Sequence, residues 1–228
     1  MTTRLFIIAI IPSIAIGMAI YLADRYDKEP LFLLTKVFLL GALSVIPVLI
    51  VENILIRINI FQGLLGATFT AFIVAGMTEE YFKRLVVLYT AYNSKYFNEK
   101  LDGIVYCSFS ALGFATIENI IYVVFRFSSN YYVGIMRGIL SVPAHSLFAI
   151  TMGYYLSLAK YTEEEGLRKK YFLKSLWIPV ILHGLFNFIL MAKIPLLMIL
   201  FIPYVIYLWR INLLRLNKYT KHSKDQLK

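Results

Sequence analysis

Charged residues are few in this chain, and their scarcity excludes an ordinary soluble protein. Asp, Glu, Lys and Arg together make up 16% of its 228 residues, whereas soluble domains carry about 25%. Hydrophobic residues reach 60%, and the mean hydropathy is +0.71. The composition therefore predicts an integral membrane protein, with the lipid bilayer as its main surroundings.

Cysteine is nearly absent as well. The single Cys107 lies inside an apolar run, so no intrachain disulfide can form and the residue is expected to pack between helices. The formal net charge is +10, but the cations lie in short segments between apolar runs and not on one basic face. No nucleic acid is therefore expected among the partners.

Long apolar runs, by contrast, are abundant, and a run of about 20 residues lets a helix cross a bilayer. They predict an all-α membrane protein, a polytopic bundle of about seven transmembrane helices that forms a single domain over residues 1–228. The first run is too long for a signal peptide and lacks a good cleavage site, so it is expected to remain as a span. The predicted spans are 5–23, 33–51, 68–92, 103–125, 133–158, 173–191 and 194–209.

Basic residues beside the spans predict the orientation in the cell membrane. One set of connecting segments holds 15 Lys and Arg, and the alternate set holds five. Basic loops stay on the cytoplasmic side, so seven spans place the N-terminus outside and the C-terminus in the cytoplasm. One further crossing would invert half of the molecule. Segment 54–61 is the candidate for it, being apolar but short and interrupted by Arg57.

Ionisable and amide side chains interrupt four of these spans. A charge at the centre of a bilayer costs about 2.5–3.5 kcal/mol on insertion scales, so such residues normally face a protein interior or water and are functional candidates. The third span carries two carboxylates and two cations, and the next three spans carry polar groups near mid-depth. The residues are Glu79, Glu80, Lys83, Arg84, Glu118, His145, His183 and Asn187.

Helical spacing limits which of these side chains can meet. Residues four apart share a face, which places Glu79 beside Lys83 and Glu80 beside Arg84, although Glu80 can also reach Lys83. Adjacent glutamates point about 100° apart, so at most one of them leads into a common site. The alternative interpretation is a self-neutralising ion-pair patch with histidines that serve only in packing.

The residue types favour hydrolysis by glutamate-activated water. A carboxylate can take a proton from water while imidazole or amide donors stabilise the oxyanion. The chain has no H-E-x-x-H, G-x-G-D or G-x-S-x-G motif. Ser141 and Ser146 flank His145, but a serine next to a histidine is common by chance. A proton-coupled transporter and a catalytically silent scaffold are the alternatives from other classes.

Four motifs, in order along four spans, resemble the PrsW family of intramembrane proteases. This family is related to the CAAX prenyl proteases and to bacteriocin-processing enzymes. The likeness runs from about residue 21 to residue 209. The motifs are Glu79-Glu80-x-x-Lys83, Phe114-x-x-x-Glu118-Asn119, His145 with Gly153-Tyr154-Tyr155, and His183-x-x-x-Asn187.

The resemblance implies a glutamic-type membrane endopeptidase whose partner is a membrane-anchored protein such as an anti-sigma factor. It would make the first cut in regulated intramembrane proteolysis; a CAAX-type or peptide-processing protease is the alternative. By the same resemblance, Glu79 is the general base, Glu80 shares or orients the proton and Lys83 holds the pair.

The remaining residues are assigned by the same resemblance. His145, His183 and Asn187 would bind water or the oxyanion, and Glu118 would position an imidazole or act as a second carboxylate. No cofactor is expected. Zinc is the alternative, because Glu79, His145 and His183 form a ligand set typical of catalytic zinc, although the neighbouring Lys83 and Arg84 would oppose a bound dication.

Overall fold

The computed structural model describes residues 2–128 and 130–226, and every regular element in that part of the chain is helical. The predicted all-α bundle is therefore confirmed. The α-helices are α1 Thr2–Ala23, α2 Leu31–Leu43, α3 Val45–Ile58, α4 Gly63–Phe69, α5 Thr78–Thr90, α6 Lys100–Ile120, α7 Tyr131–Met136, α8 Val142–Lys160, α9 Glu165–Ala192 and α10 Pro195–Gln226.

Six helices among the described residues are long and apolar enough to cross a membrane, where the sequence predicted about seven. The missing one is the predicted span 68–92. It lies in an unbroken helical stretch from Gly63 to Thr90, which is long enough to cross but carries four ionisable residues close together. The outside location of the N-terminus stays a prediction.

The six spans are Thr3–Ala23, Leu31–Ile58, Lys100–Arg126, Tyr131–Lys160, Glu165–Ala192 and Pro195–Asp225.

The second span is longer than predicted and includes most of segment 54–61. Helices α2 and α3 meet at Ser44, where Pro47 cannot donate a backbone hydrogen bond to the preceding turn. The helix then continues to Ile58. Segment 54–61 is therefore no separate crossing, and Glu52, which the predicted boundary at residue 51 put outside the span, lies well inside it.

Helix α6 forms the centre of the bundle. Its membrane-spanning part is 72% buried inside the protein, whereas that of α1 is 28% buried and that of α10 is 17% buried. It packs against α1, α2 and α8, while α9 packs against α8. Cys107, on α6, is a buried free cysteine, as its apolar surroundings predicted. Because α6 has neighbours on all sides, its polar residues face protein and not lipid.

Three π-helical segments interrupt the helices. Thr70–Met77 joins α4 to α5, Ile121–Arg126 extends α6, and Arg137–Ser141 joins α7 to α8. A π-helix bonds residue i to i+5, so it turns less per residue than an α-helix and changes the direction of the side chains that follow. Such segments often border functional sites.

The C-terminal part of α10 packs on the bundle. Residues 210–228 hold six Lys and Arg, a composition that by itself predicts contact with anionic lipid head groups. Instead, Tyr219 is buried and stacks on Tyr154 with a centroid distance of 5.1 Å. Arg215 donates a hydrogen bond of 2.7 Å to Thr151 Oγ1. The helix continues because these contacts stabilise its polar turns.

Candidate active site

Two glycines allow the helix that carries the glutamates to approach α9 closely. A Cβ atom at Gly184 would lie 2.3 Å from the ring of Phe72, and one at Gly76 would lie 3.0 Å from the carbonyl oxygen of Val180. Small residues at such crossings let helix backbones approach. The crossing brings His183 beside Glu80.

Lys83 lies at the centre of the polar cluster. Its Nζ donates to Glu79 Oε2 at 2.9 Å, to Glu80 Oε1 at 2.9 Å and to His145 Nδ1 at 3.0 Å. An ammonium has three N–H donors, so all three are used. Only 1% of the lysine is exposed. Both glutamates therefore share one cation, deep inside the protein.

The expected partnership between Glu80 and Arg84 is wrong. Arg84 turns toward α9, where its Nε donates to Ser175 Oγ at 2.9 Å and its Nη2 donates to the carbonyl oxygen of Phe172 at 2.9 Å. The alternative partner that the spacing allowed, Lys83, pairs with Glu80. Helical spacing permitted either ion pair, and the position of α9 determined which one formed.

His145 connects the lysine to a second ion pair. Because its Nδ1 accepts from Lys83, the ring proton lies on Nε2, which donates to Glu118 Oε2 at 3.0 Å. Glu118 Oε2 also lies 2.9 Å from Arg137 Nη2. Arg137 donates from Nε to Asn119 Oδ1 at 3.0 Å. Both nitrogens of His145 are thus engaged in holding charged groups.

His183 has a different arrangement. Its Nδ1 donates to Glu80 Oε1 at 2.9 Å, and its ring stacks on Phe148 with a centroid distance of 5.0 Å. Its Nε2 has no hydrogen-bond partner within residues 2–128 and 130–226. A carboxylate bond at one nitrogen orients the ring and leaves the other nitrogen available to a ligand.

A cavity of about 410 Å³ opens in front of these groups. Glu80 and Lys83 lie behind its wall and are 0% and 1% exposed. Two residues for which the sequence gave no functional role, Glu52 and Arg137, also line it. An apolar run read through to Ile58 would have placed Glu52 inside a span. The predicted site residues that line the cavity are Glu79, Glu118, His145, His183 and Asn187.

The structure therefore brings the seven predicted site residues to one place, while their catalytic roles stay predictions. His145 Nδ1 lies 3.9 Å from Glu79 Oε2, and the rings of His145 and His183 are 5.3 Å apart between centroids. Asn187 reaches the same cavity one helical turn beyond His183. The observed pocket could hold a water molecule and part of a peptide.

A metal ion at this site would compete with the lysine for the same space. One candidate ligand atom from each of Glu79, Glu80, His145 and His183 lies within 4.8 Å of the others, a spacing that suits a metal ion. Three of these residues, however, already bond the ammonium of Lys83. A dication there would lie next to a buried positive charge, so the site does not fit a metal while Lys83 holds this position.

Comparison with known proteins gives a consistent family. Residues 29–209 match the model of the "PrsW family intramembrane metalloprotease". Protease PrsW of Clostridioides difficile strain 630 is 48% identical, over 98% of this chain and 94% of that protein. Protease PrsW of Bacillus subtilis strain 168 is 34% identical, over 92% of each chain.

No solved structure shows significant similarity to the chain. The family model nevertheless covers most of the sequence, and it includes every residue of the polar cluster around Lys83. Two relatives exceed 30% identity over nearly their whole lengths. The chain therefore belongs to the PrsW family of intramembrane proteases.

Proposed function

We propose that the chain cleaves a membrane-anchored protein, of which an anti-sigma factor is the example, with water activated by Glu79 and without a metal ion. The observation that carries the proposal is the position of Lys83 Nζ, which occupies the point where the glutamates and His145 converge. The lysine supplies the positive charge that a metal would otherwise bring, and it places a counter-charge next to Glu79, the proposed base.

Two acceptors face the cavity and can orient the attacking water. Glu79 Oε1 and His183 Nε2 accept no hydrogen bond from the described residues, and both side chains line the cavity. A water that donates to both would direct its lone pair at a substrate carbonyl. Glu79 takes the proton as the bond to carbon forms, and the amide of Asn187 donates to the developing oxyanion.

His145 and Glu80 act through other groups in this proposal. Both nitrogens of His145 are bonded, so it holds Lys83 and Glu118 in place and does not contact the substrate. Glu80 accepts from Lys83 and from His183, which fixes the imidazole with Nε2 toward the cavity. The carboxylate–imidazole pair is therefore an orienting device for His183.

A co-expression assay tests the activity. The chain would be expressed with a membrane-anchored anti-sigma factor, and the loss of full-length substrate would be measured. Glu79→Ala and His183→Ala should each lower cutting about 100-fold or more. Glu163→Ala, on the exposed segment before α9, is the matched control. Unchanged cutting by both active-site variants would exclude the mechanism.

A second experiment addresses the metal. Purified chain would be treated with a strong chelator, its metal content measured by mass spectrometry, and the cutting assay repeated. If Lys83 takes the place of a metal, the chelated protein should keep full activity although most of its chains hold no metal ion. Activity that disappears with the metal and returns with added zinc would favour the metallopeptidase alternative.

A further inference from the structure

Among the described residues that line the cavity, Glu52 is the one carboxyl group without a hydrogen-bond or ion-pair partner. It lies on α3, is partly buried and faces the same space as Glu79 and Glu118. Among residues 2–128 and 130–226, no hydrogen bond or ion pair reaches its side chain. The apolar residues around it on α3 are Val48, Leu49 and Ile56.

The balance of charges around the cavity indicates which chemical role Glu52 can have. Glu79 and Glu80 share the single positive charge of Lys83, and Glu118 pairs with Arg137, so these three carboxylates already face only two cations. A fourth ionised carboxylate would thus add a negative charge that no nearby cation balances, in mostly apolar surroundings. Among these carboxyl groups, Glu52 therefore has the surroundings that most favour a bound proton.

Four helical stretches packed around the cavity present titratable groups to Glu52. The nearest electrostatic neighbours include Glu79, Glu118 and Lys83. The full set consists of Glu79 and Lys83 from α5, Glu118 and Tyr122 from α6 and its extension, Arg137 and His145 from the α7–α8 stretch, and His183 from α9.

We propose that Glu52 is the proton donor to the leaving amine, an inference that rests on the proposed hydrolytic function. Peptide hydrolysis needs a base for the water and an acid for the nitrogen. Two carboxyl groups with different surroundings can divide these tasks. Glu79, next to Lys83, suits the base, and Glu52, without a cation, suits the acid.

The proton balance is complete with these two groups. Glu79 removes one proton from water as the water oxygen bonds to the carbonyl carbon. The C–N bond then breaks, its electron pair goes to nitrogen, and the nitrogen receives the proton of Glu52. The products are a carboxylic acid and an amine. The proton on Glu79 returns to Glu52 through water in the cavity, which resets both groups.

The kinetic test uses purified full-length chain in detergent and the anti-sigma factor that the wild type cuts in co-expression. Glu52→Gln should lower kcat about 100-fold with KM within about twofold, and Glu52→Asp should restore part of it. The wild-type rate should fall at alkaline pH, and that fall should be absent in Glu52→Gln. Glu163→Gln is the matched control.

Two kinetic outcomes would overturn the inference. One is a Glu52→Gln variant that cuts at the wild-type rate. The other is a raised KM at unchanged kcat, which would assign Glu52 to the binding of a substrate cation. In both cases the wild type still cuts, so the proposed function stands while the role of Glu52 fails.

A spectroscopic readout does not depend on cutting. Protonated carboxyl groups have a C=O stretching band in the infrared that ionised ones lack. Glu52→Gln should remove the intensity of one protonated carboxyl near neutral pH, and Glu163→Gln should remove none. Equal bands in the wild type and Glu52→Gln would overturn the inference. If no substrate is ever cut, the proposed function fails, and the band still reports the proton on Glu52.

Discussion

Two clusters of buried carboxyl groups lie in this bundle, and they differ in whether a cation forms an ion pair with them. Around Lys83, two glutamates share an ammonium that lies 2.9 Å from each. Near the start of α6, Glu29 accepts a hydrogen bond from the hydroxyl of Tyr106, and its backbone N–H donates to Asp24 Oδ2 at 3.0 Å. No salt bridge within the described residues reaches Asp24 or Glu29.

The second cluster, which we name the loop cluster, consists of Asp24, Glu29, Glu99 and Asp102, and no salt bridge in the described part of the chain reaches it. Burial raises the pKa of Asp24 to about 6 and the pKa of Glu99 to about 7. Burial, followed by the charge of Asp102, also raises the pKa of Glu29 well above its ordinary value. Buried carboxyls without a cation thus favour the protonated form, whereas those around Lys83 have a permanent counter-charge.

The contrast between the Lys83 cluster and the loop cluster shows that burial of carboxyl groups does not by itself make a reactive site. The Lys83 cluster borders a cavity of about 410 Å³ and has acceptors directed into it. Asp24 and Asp102 in the loop cluster are 0% exposed. Carboxyl groups beside a cavity that can hold water can exchange protons with a substrate, whereas carboxyl groups sealed in the protein mainly hold the fold together.

Removal of Lys83 should have the largest effect on the contrast between the two clusters. Lys83→Met leaves two buried carboxylates without a cation, which should lower the free energy of unfolding by about 3–5 kcal/mol. Cutting of the anti-sigma factor should fall about 100-fold or more, because Glu79 loses its counter-charge. Denaturant unfolding in detergent and the cutting assay measure the two effects.

A double variant separates the two effects. Lys83→Met with Glu80→Gln removes one of the stranded charges, so it should recover part of the stability without recovering cutting. A Lys83→Met variant that folds and cuts like the wild type would show that the ammonium does not organise the site.

A smaller effect is expected at the second ion pair. Arg137→Gln removes the cation 2.9 Å from Glu118 Oε2, although His145 remains bonded to that carboxylate. Groups that orient a functional imidazole typically contribute about 10-fold to 100-fold to activity, and we expect the lower end in kcat. Arg126→Gln is the control, because Arg126 is an exposed arginine at the end of the π-helical extension of α6. An equal loss in both variants would contradict a specific role for Arg137.

The smallest effect is a change in pH dependence in the loop cluster. The pKa of Asp24 is raised from 3.8 to about 6, so its contribution to stability is present below pH about 4 and is lost as the pH rises through about 6. Asp24→Asn should reduce the fall in Tm over this pH range by a few degrees, since about 1 kcal/mol corresponds to about 2–4 °C. Thermal unfolding between pH 4 and pH 8 measures it.

The control for this prediction is Glu163→Gln, which changes an exposed carboxyl outside the loop cluster. It should leave the curve as in the wild type. A change in Tm between pH 4 and pH 6 that is the same in Asp24→Asn as in the wild type would contradict the prediction, and the contrast between the two clusters would disappear.

Much of the molecule could be predicted from residue types alone. Apolar runs long enough to cross a bilayer predicted the helical bundle, because no other structure satisfies backbone hydrogen bonds in lipid. Polar residues inside those runs predicted the site, since an isolated charge in lipid is too costly to keep without a partner or water. The same reasoning located Glu79, Glu118, His145 and His183, which the structure brings to one cavity.

The partner that each polar side chain meets, and its depth in the bundle, could not be predicted in this way. A helix fixes the angle between its own side chains, but the neighbour that each side chain meets depends on how the helices cross. Lys83 took both glutamates and Arg84 turned to Ser175 because α9 crosses at Gly184. The π-helical segments, which have no recognised sequence signal here, also changed the direction of side chains around Arg137.

By itself, the sequence determined that this protein lies in a membrane and which polar side chains must be sheltered there, because hydrophobic transfer and helix length are local properties. Only the tertiary structure decided that one lysine serves three acceptors and that Glu52 faces the same cavity as Glu79. Those relations join residues on different helices, and packing between helices sets them.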